Sequence, residues 1–143
     1  DMLVEHAAQN LLFSMQAGAE AEDAKHQRRL AVVCFEATLE ARPESFEAMT
    51  GLAIAHWMNG DLGRALSSAR AAAAAGPEYA AAHYTLAGIL LASGKRDEAR
   101  QPMSTASQLD ERAIGTRAIP KSDEACRYFY SGGRMPLVSN PGS

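Results

Sequence analysis

The chain has 143 residues, a net charge of −3, few aromatic residues (6%) and no concentrated basic face, which disfavours nucleic-acid binding. Alanine is favourable in helices, whereas β-branched residues lose rotamer freedom there, so the composition favours an all-α fold. No apolar run reaches the roughly 20 residues needed to span a bilayer. The first residue is Asp1 rather than Met, so we expect a fragment or processed form and, unless a signal segment was removed, a cytoplasmic protein.

The first predicted helix runs from Met2 to about Gly18, because apolar residues recur there at spacings of three and four. An acidic link at 19–23 follows, and a second helix runs from about Asp23 to Ala41, with Pro43 just beyond its end. The residues expected to face inward are Val4, Ala7, Ala8, Leu11 and Met15 in the first helix, and Leu30, Ala31, Cys34, Phe35, Thr38 and Leu39 in the second.

Four further helices are predicted, in two pairs. Ser45 is a suitable N-cap for Phe46–Met58, and a turn at 59–61 leads to Leu62–Ala75. Gly76 can then take a left-handed cap before Pro77. The second pair is Tyr79–Ala92 and about Asp97–Leu109, joined at 93–95, and Pro102 predicts a kink in the last helix.

The two pairs repeat each other at an offset of 34 positions, and such a period indicates an array of helical hairpins that are stable only when stacked. The recurring pairs are Leu52 and Leu86, Ala53 and Ala87, Gly60 and Gly94, Ala65 and Ala99, and Ala72 and Ala106.

These residues resemble the tetratricopeptide repeat. The matching positions are Leu52-Ala53, Gly60-Asp61, Ala65, Ala72 and Pro77 in one unit, Leu86-Ala87, Gly94, Ala99 and Ala106 in the next, and Ala31, Phe35 and Pro43 in the first. Two positions depart from the pattern, with His26 in place of Gly and Glu111 in place of Pro. The resemblance implies a helical-hairpin solenoid over 1–111, in repeats at about 3–43, 45–77 and 79–111, followed by a C-terminal capping tail over 112–143.

The resemblance also implies a concave face, lined by the first helix of each repeat, that binds a partner protein or peptide without catalysis or a cofactor. By repeat register, the candidate partner-binding residues are Glu47, Thr50, Ile54, Trp57, Met58, Ala81, Tyr84, Thr85, Gly88 and Leu91. The four contacts we favour are Trp57, Ile54, Tyr84 and Leu91, although Trp57 could instead pack beneath the N-terminal helix.

The expected partner follows partly from the absence of Lys and Asn at four of these positions. Some family members use Lys and Asn there to bind a carboxylate terminus, whereas this chain has Thr50, Ile54, Tyr84 and Gly88. An apolar or amphipathic segment is therefore the expected ligand. A dedicated secretion or assembly chaperone for one cognate protein is the alternative function. A regulatory part of a larger enzyme is a third.

No catalytic or metal site is predicted. His56 and His83 have no ligand at short spacing, and nothing local would activate Cys126 as a nucleophile. Cys34 and Cys126 are expected to be free thiols.

The tail is basic and the body acidic. Residues 112–143 carry five Lys and Arg against two Asp and Glu, whereas residues 1–111 carry nine against fifteen. We expect the tail to be attracted to the body. Either Ile114, Ile119, Tyr128 and Phe129 form a lid over the last repeat, or Tyr128–Val138 enters the groove of its own or another copy, which would allow self-association.

Overall fold

The computed structural model describes residues 2–14, 21–110 and 125–126 of the chain. The helices in this part are α1 (Met2–Ser14), α2 (Ala21–Ala41), α3 (Phe46–Met58), α4 (Leu62–Ala75), α5 (Ala80–Ala92) and α6 (Arg96–Leu109). Ala125 and Cys126 are also helical, and the described residues contain no strand. The all-α prediction is confirmed.

Sequential hairpins form the architecture. Helix α1 packs on α2, α3 on α4, and α5 on α6, and neighbouring hairpins stack through α2 against α3 and α4 against α5. The first helices of the hairpins also contact one another in order, α1 with α3 and α3 with α5. This arrangement places α1, α3 and α5 in one layer and their partners in another, as expected for a helical-repeat solenoid.

Local signals explain where the helices begin and end. The Ser45 hydroxyl accepts a hydrogen bond from the Ala48 N–H (3.2 Å), and the Asp61 carboxylate accepts one from the Arg64 N–H (3.2 Å), so both side chains satisfy first-turn donors. The turns inside the second and third hairpins contain Gly60 at φ 82° and Gly94 at φ 79°, a left-handed conformation that glycine adopts without strain.

Gly76 is needed for a different reason from the one predicted. Its φ is −125°, so it does not form a left-handed cap. A Cβ at this position would instead lie 2.5 Å from Cγ of Phe46, the first residue of α3. Glycine is therefore required because the α4–α5 loop passes directly over an aromatic ring.

Two other predictions need adjustment. Helix α2 begins at Ala21, so the last three of the five residues in the expected acidic link are helical. Leu30, expected to face inward, is 38% exposed. Pro102 lies inside α6, which runs from Arg96 to Leu109, and the kink expected at this residue stays a prediction. Met15 and Gly18, and the tail residues Ile114, Ile119, Tyr128 and Phe129, lie outside the described residues.

The buried residues form two clusters. The first spans all three hairpins, with Leu11 of α1, Phe35 of α2, Ile54 of α3 and Tyr84 of α5 among its members, and it includes Ala125 and Cys126. The second lies between the last two hairpins; its buried members are Ala53, Ala65, Ala69, Leu86, Ile89, Leu90 and Ala99. A core shared between hairpins explains why no single hairpin would be stable alone.

Candidate partner-binding surface

The structure divides the ten predicted partner-binding residues by exposure. Six are buried, namely Thr50, Ile54, Ala81, Tyr84, Thr85 and Gly88. Trp57, Met58 and Leu91 are partly buried, and Glu47 is exposed. Register along the repeat therefore placed these residues on the first helices correctly, but it did not separate surface from core.

Ile54 and Tyr84 were two of the four favoured contacts, and neither has accessible surface. Both belong to the first core cluster, together with the fully buried Ala125 and Cys126. A partner could touch these side chains only after something that covers them had moved. In this structure their role is to support the layer of first helices from within.

The two buried threonines differ in hydrogen bonding. The Thr50 hydroxyl donates to the carbonyl of Phe46 (2.8 Å), one turn earlier in α3. The Thr85 hydroxyl is buried without a hydrogen-bond partner among the described residues. Both side chains are buried, so neither hydroxyl is available to a partner at the surface.

The accessible part of the predicted site is concentrated on α3. Trp57 and Met58, in its last turn, are partly exposed, and Trp57 packs against both core clusters. The guanidinium of Arg28 donates from Nε to Oδ1 of Asn59 (2.7 Å), which fixes the turn beside them to α2. Glu47 lies in the first turn of the same helix. Helix α3 thus presents an apolar end and an acidic end.

His56 lies in the same turn of α3 as Trp57 and is partly buried. Burial lowers the pKa of His56 below its ordinary value of 6.5, while the Asp61 carboxylate partly opposes this change. The imidazole is therefore held towards its neutral form, which suits an apolar surface.

A depression that the sequence did not predict lies where the α4–α5 loop crosses the start of α3. It has a volume of about 380 Å³ and is lined by Phe46, Ala75, Gly76, Pro77, Glu78 and Tyr79. The Phe46 and Tyr79 rings pack with centroids 5.0 Å apart and planes tilted by 54°. Burial, assisted by the Glu47 carboxylate, raises the pKa of the Tyr79 phenol, which therefore stays protonated.

In the part of the chain that is described, no three His, Cys, Asp or Glu residues cluster in a way that could hold a metal ion, and neither His56 nor His83 belongs to such a set. Nε2 of His83 instead lies 2.9 Å from the carbonyl oxygen of Pro77. Cys34 and Cys126 are not joined by a disulfide. None of the described helices has the length and apolar character to cross a membrane.

Two family models, both described as tetratricopeptide repeat, match residues 17–79 and 56–112. The chain belongs to the tetratricopeptide repeat family. The matches overlap at the second hairpin and together cover all helices from α2 to α6. A search of curated proteins found no match. Tetratricopeptide repeats are a non-catalytic scaffold type, and their presence indicates a protein–protein interaction module.

Proposed function

We propose that this tetratricopeptide repeat protein binds an apolar or amphipathic segment of a partner along α3, with Trp57 and Met58 as the anchors. The observation that carries the proposal is the position of Trp57, which is partly exposed while its remaining surface packs on both core clusters. A rigidly held indole loses little conformational freedom on binding, which is one reason that Trp is enriched among binding hot spots.

The two ends of α3 suggest how a partner would be oriented. Glu47 and Met58 are eleven residues apart, or roughly 17 Å along the helix axis. A segment that lies along α3 would place apolar side chains against Trp57 and Met58 and a basic residue near Glu47. Apolar burial would supply most of the affinity, at about 25 cal/mol per Å² before the costs of association.

The partner can be captured through this surface. A photo-crosslinking residue at position 58, compared with one at the exposed Ser67 on α4, should attach to the partner preferentially from position 58. Once the partner is identified, Trp57→Ala and Met58→Glu should each raise its dissociation constant. For a hot-spot Trp, the loss of binding free energy should exceed about 2 kcal/mol. The matched control is Ser67→Ala, which should leave the constant unchanged.

Helical content measured by circular dichroism separates lost binding from lost folding. If Trp57→Ala and Met58→Glu both stay folded and bind the partner as the parent does, the proposal is wrong. Glu47→Lys should change the association rate and its salt dependence more than the affinity, because a charge at the rim of an interface mainly steers encounter.

The chaperone alternative uses the same surface and differs in outcome. A chaperone would bind one cognate protein stoichiometrically, keep it from aggregating and release it, whereas a scaffold would hold its partner. Light scattering of the isolated partner, with and without an equimolar amount of this protein, distinguishes the two.

A further inference from the structure

An apolar groove lies on the last hairpin, between α5 and α6, whereas Trp57 and Met58 belong to α3 of the hairpin before it. It has a volume of about 390 Å³ and is lined by Leu91, Arg96, Ala99, Arg100, Met103, Ser104 and Ser107. We call it the end groove. Its floor is formed by Leu91, Ala99 and Met103, and two arginines one helical turn apart lie along it.

The repeat register identifies the end groove as the stacking face of α6. One repeat earlier, the equivalents of Arg96 and Arg100 are Leu62 and Leu66 of α4, which pack into the second core cluster together with α5. On α6 the same two positions carry positive charge. A further hairpin like those inside the array would leave both guanidinium groups against apolar surface, so this face selects a partner surface that carries acidic groups.

A surface with that chemistry exists on the same chain. Leu30, Val33 and Ala37 form an exposed line on the outer side of α2, which we call the α2 stripe, with Leu30 38% and Val33 61% exposed. The equivalent residues are Arg64, Ser67 and Ala71 on α4, and Glu98, Gln101 and Thr105 on α6. Large apolar residues at these positions are therefore a property of the first hairpin, with no counterpart in the other two.

Two acidic residues towards the C-terminal end of the α2 stripe complement the charges of the end groove, whereas Arg29 lies beside its N-terminal end. Glu36 and Glu40 are exposed and lie one and two helical turns beyond Val33, four positions apart, as are Arg96 and Arg100. Each pair thus spans roughly 6 Å along its helix, so both glutamates can face both arginines. Among the described residues, no salt bridge engages Glu36, Glu40 or Arg96, and that of Arg100 with Asp97 is long (3.7 Å) and exposed.

We propose that the α2 stripe of one copy docks into the end groove of a second copy. Val33 and Leu30 would cover the floor formed by Leu91 and Met103, and Glu36 and Glu40 would pair with Arg96 and Arg100. The α2 stripe and the end groove lie on different hairpins. A copy that uses one of these surfaces therefore still has the other available for a further copy. Association is therefore head-to-tail and produces open chains, or rings if the geometry closes.

Sedimentation velocity of the full chain over a wide range of protein concentration tests this association. The weight-average mass should rise continuously with concentration, and added salt should weaken the rise. Arg96→Glu/Arg100→Glu and Glu36→Arg/Glu40→Arg should each weaken association by about tenfold or more, since two attractive pairs become repulsive. Val33→Ser, which copies Ser67 of α4, should weaken it without a change in charge.

Mixing the two charge-reversed variants supplies the matched control. Each variant alone carries like charges on both surfaces, but the groove of one is complementary to the stripe of the other, so an equimolar mixture should regain the association of the parent chain. All substituted positions are exposed, so the substitutions should not change the stability of the fold, and thermal unfolding measures whether they do. A parent chain that stays monomeric, variants that associate as the parent does, or a mixture that fails to associate would each overturn the proposal.

Discussion

The junction between α2 and α3 and the junction between α4 and α5 occupy equivalent places in the repeat but are packed differently. At the first, Phe35 is fully buried and its ring lies where a Cβ of Gly51 would be. The residues 34 positions later are Ala69 and Thr85, both buried. The first junction therefore uses a large residue against the smallest one, and the second uses two residues of modest size.

This difference shows that the repeat fixes helix positions more strongly than it fixes residue pairs. Cores tolerate exchanges that conserve total volume, but a ring against bare backbone leaves no margin for a single added atom. The α2–α3 junction should consequently be more sensitive to substitution than the α4–α5 junction. Four predictions, in order of expected effect, test that contrast.

Removal of the Phe35 ring should have the largest effect. Phe35→Ala should lower the free energy of unfolding by about 3–5 kcal/mol, because Gly51 has no side chain with which to fill the cavity. Chemical denaturation measures this change. The double variant Phe35→Ala/Gly51→Thr, which copies the Ala69 and Thr85 pair, should recover part of the loss; if it is no more stable than Phe35→Ala, the two junctions do not exchange volume in this way.

Addition of one methyl group at the same junction should have the next largest effect. Gly51→Ala should destabilise the fold by about 1–3 kcal/mol, because the new Cβ would overlap the buried Phe35 ring. The control is Gly63→Ala on α4, where the nearest atom to a new Cβ is an Asp61 carboxylate oxygen at 3.9 Å. That substitution should stabilise the protein by up to about 1 kcal/mol through helix propensity. Equal effects at the two glycines would contradict the steric explanation.

The buried threonines should respond in opposite directions to the same isosteric change. Thr85→Val, at the α4–α5 junction, removes a hydroxyl that has no hydrogen-bond partner among the described residues and should be neutral or stabilising by about 1 kcal/mol. Thr50→Val removes the 2.8 Å bond to the Phe46 carbonyl and should cost about 0.5–1.5 kcal/mol. Denaturation midpoints that fall equally in both variants would show that Thr85 is satisfied after all.

The smallest effect concerns pH and another pair of equivalent positions, His56 on α3 and Leu90 on α5. Burial lowers the pKa of His56, so the unfolded chain takes up a proton at a higher pH than the folded chain does. The contribution of His56 to stability is therefore fully present above about pH 6.5, its ordinary pKa, and is lost as pH falls from there towards the folded pKa.

His56→Leu, which copies Leu90, should flatten the decline in stability over this acidic range. The exposed His26 offers the matched control, and His26→Gln should keep the slope of the parent chain. Denaturation at a series of pH values measures both variants. A slope that survives in His56→Leu would assign the pH dependence to other groups.

Much of the fold could be predicted from the sequence, because helix positions depend on residues that are close together in the chain. Phe46–Met58 and Leu62–Ala75 were predicted at both ends, and the start of each helix in the third hairpin differs by one residue. Apolar spacing, the Ser45 cap and the glycines of the tight turns are local signals. The period of 34 residues then determined that equivalent helices stack in order.

Tertiary structure alone decided which side chains are accessible. The repeat register placed Ile54 and Tyr84 on a predicted binding face, yet both lie in a core shared by three hairpins. Residues distant in sequence bury them, and the local pattern could not reveal this. Gly76 is required by the ring of Phe46, thirty residues earlier. Leu30 and Val33 are exposed because none of the described hairpins packs on that side of α2. The exposure of a side chain depends on which distant parts of the chain pack against it, whereas a helical sequence pattern depends only on residues within a few positions of one another.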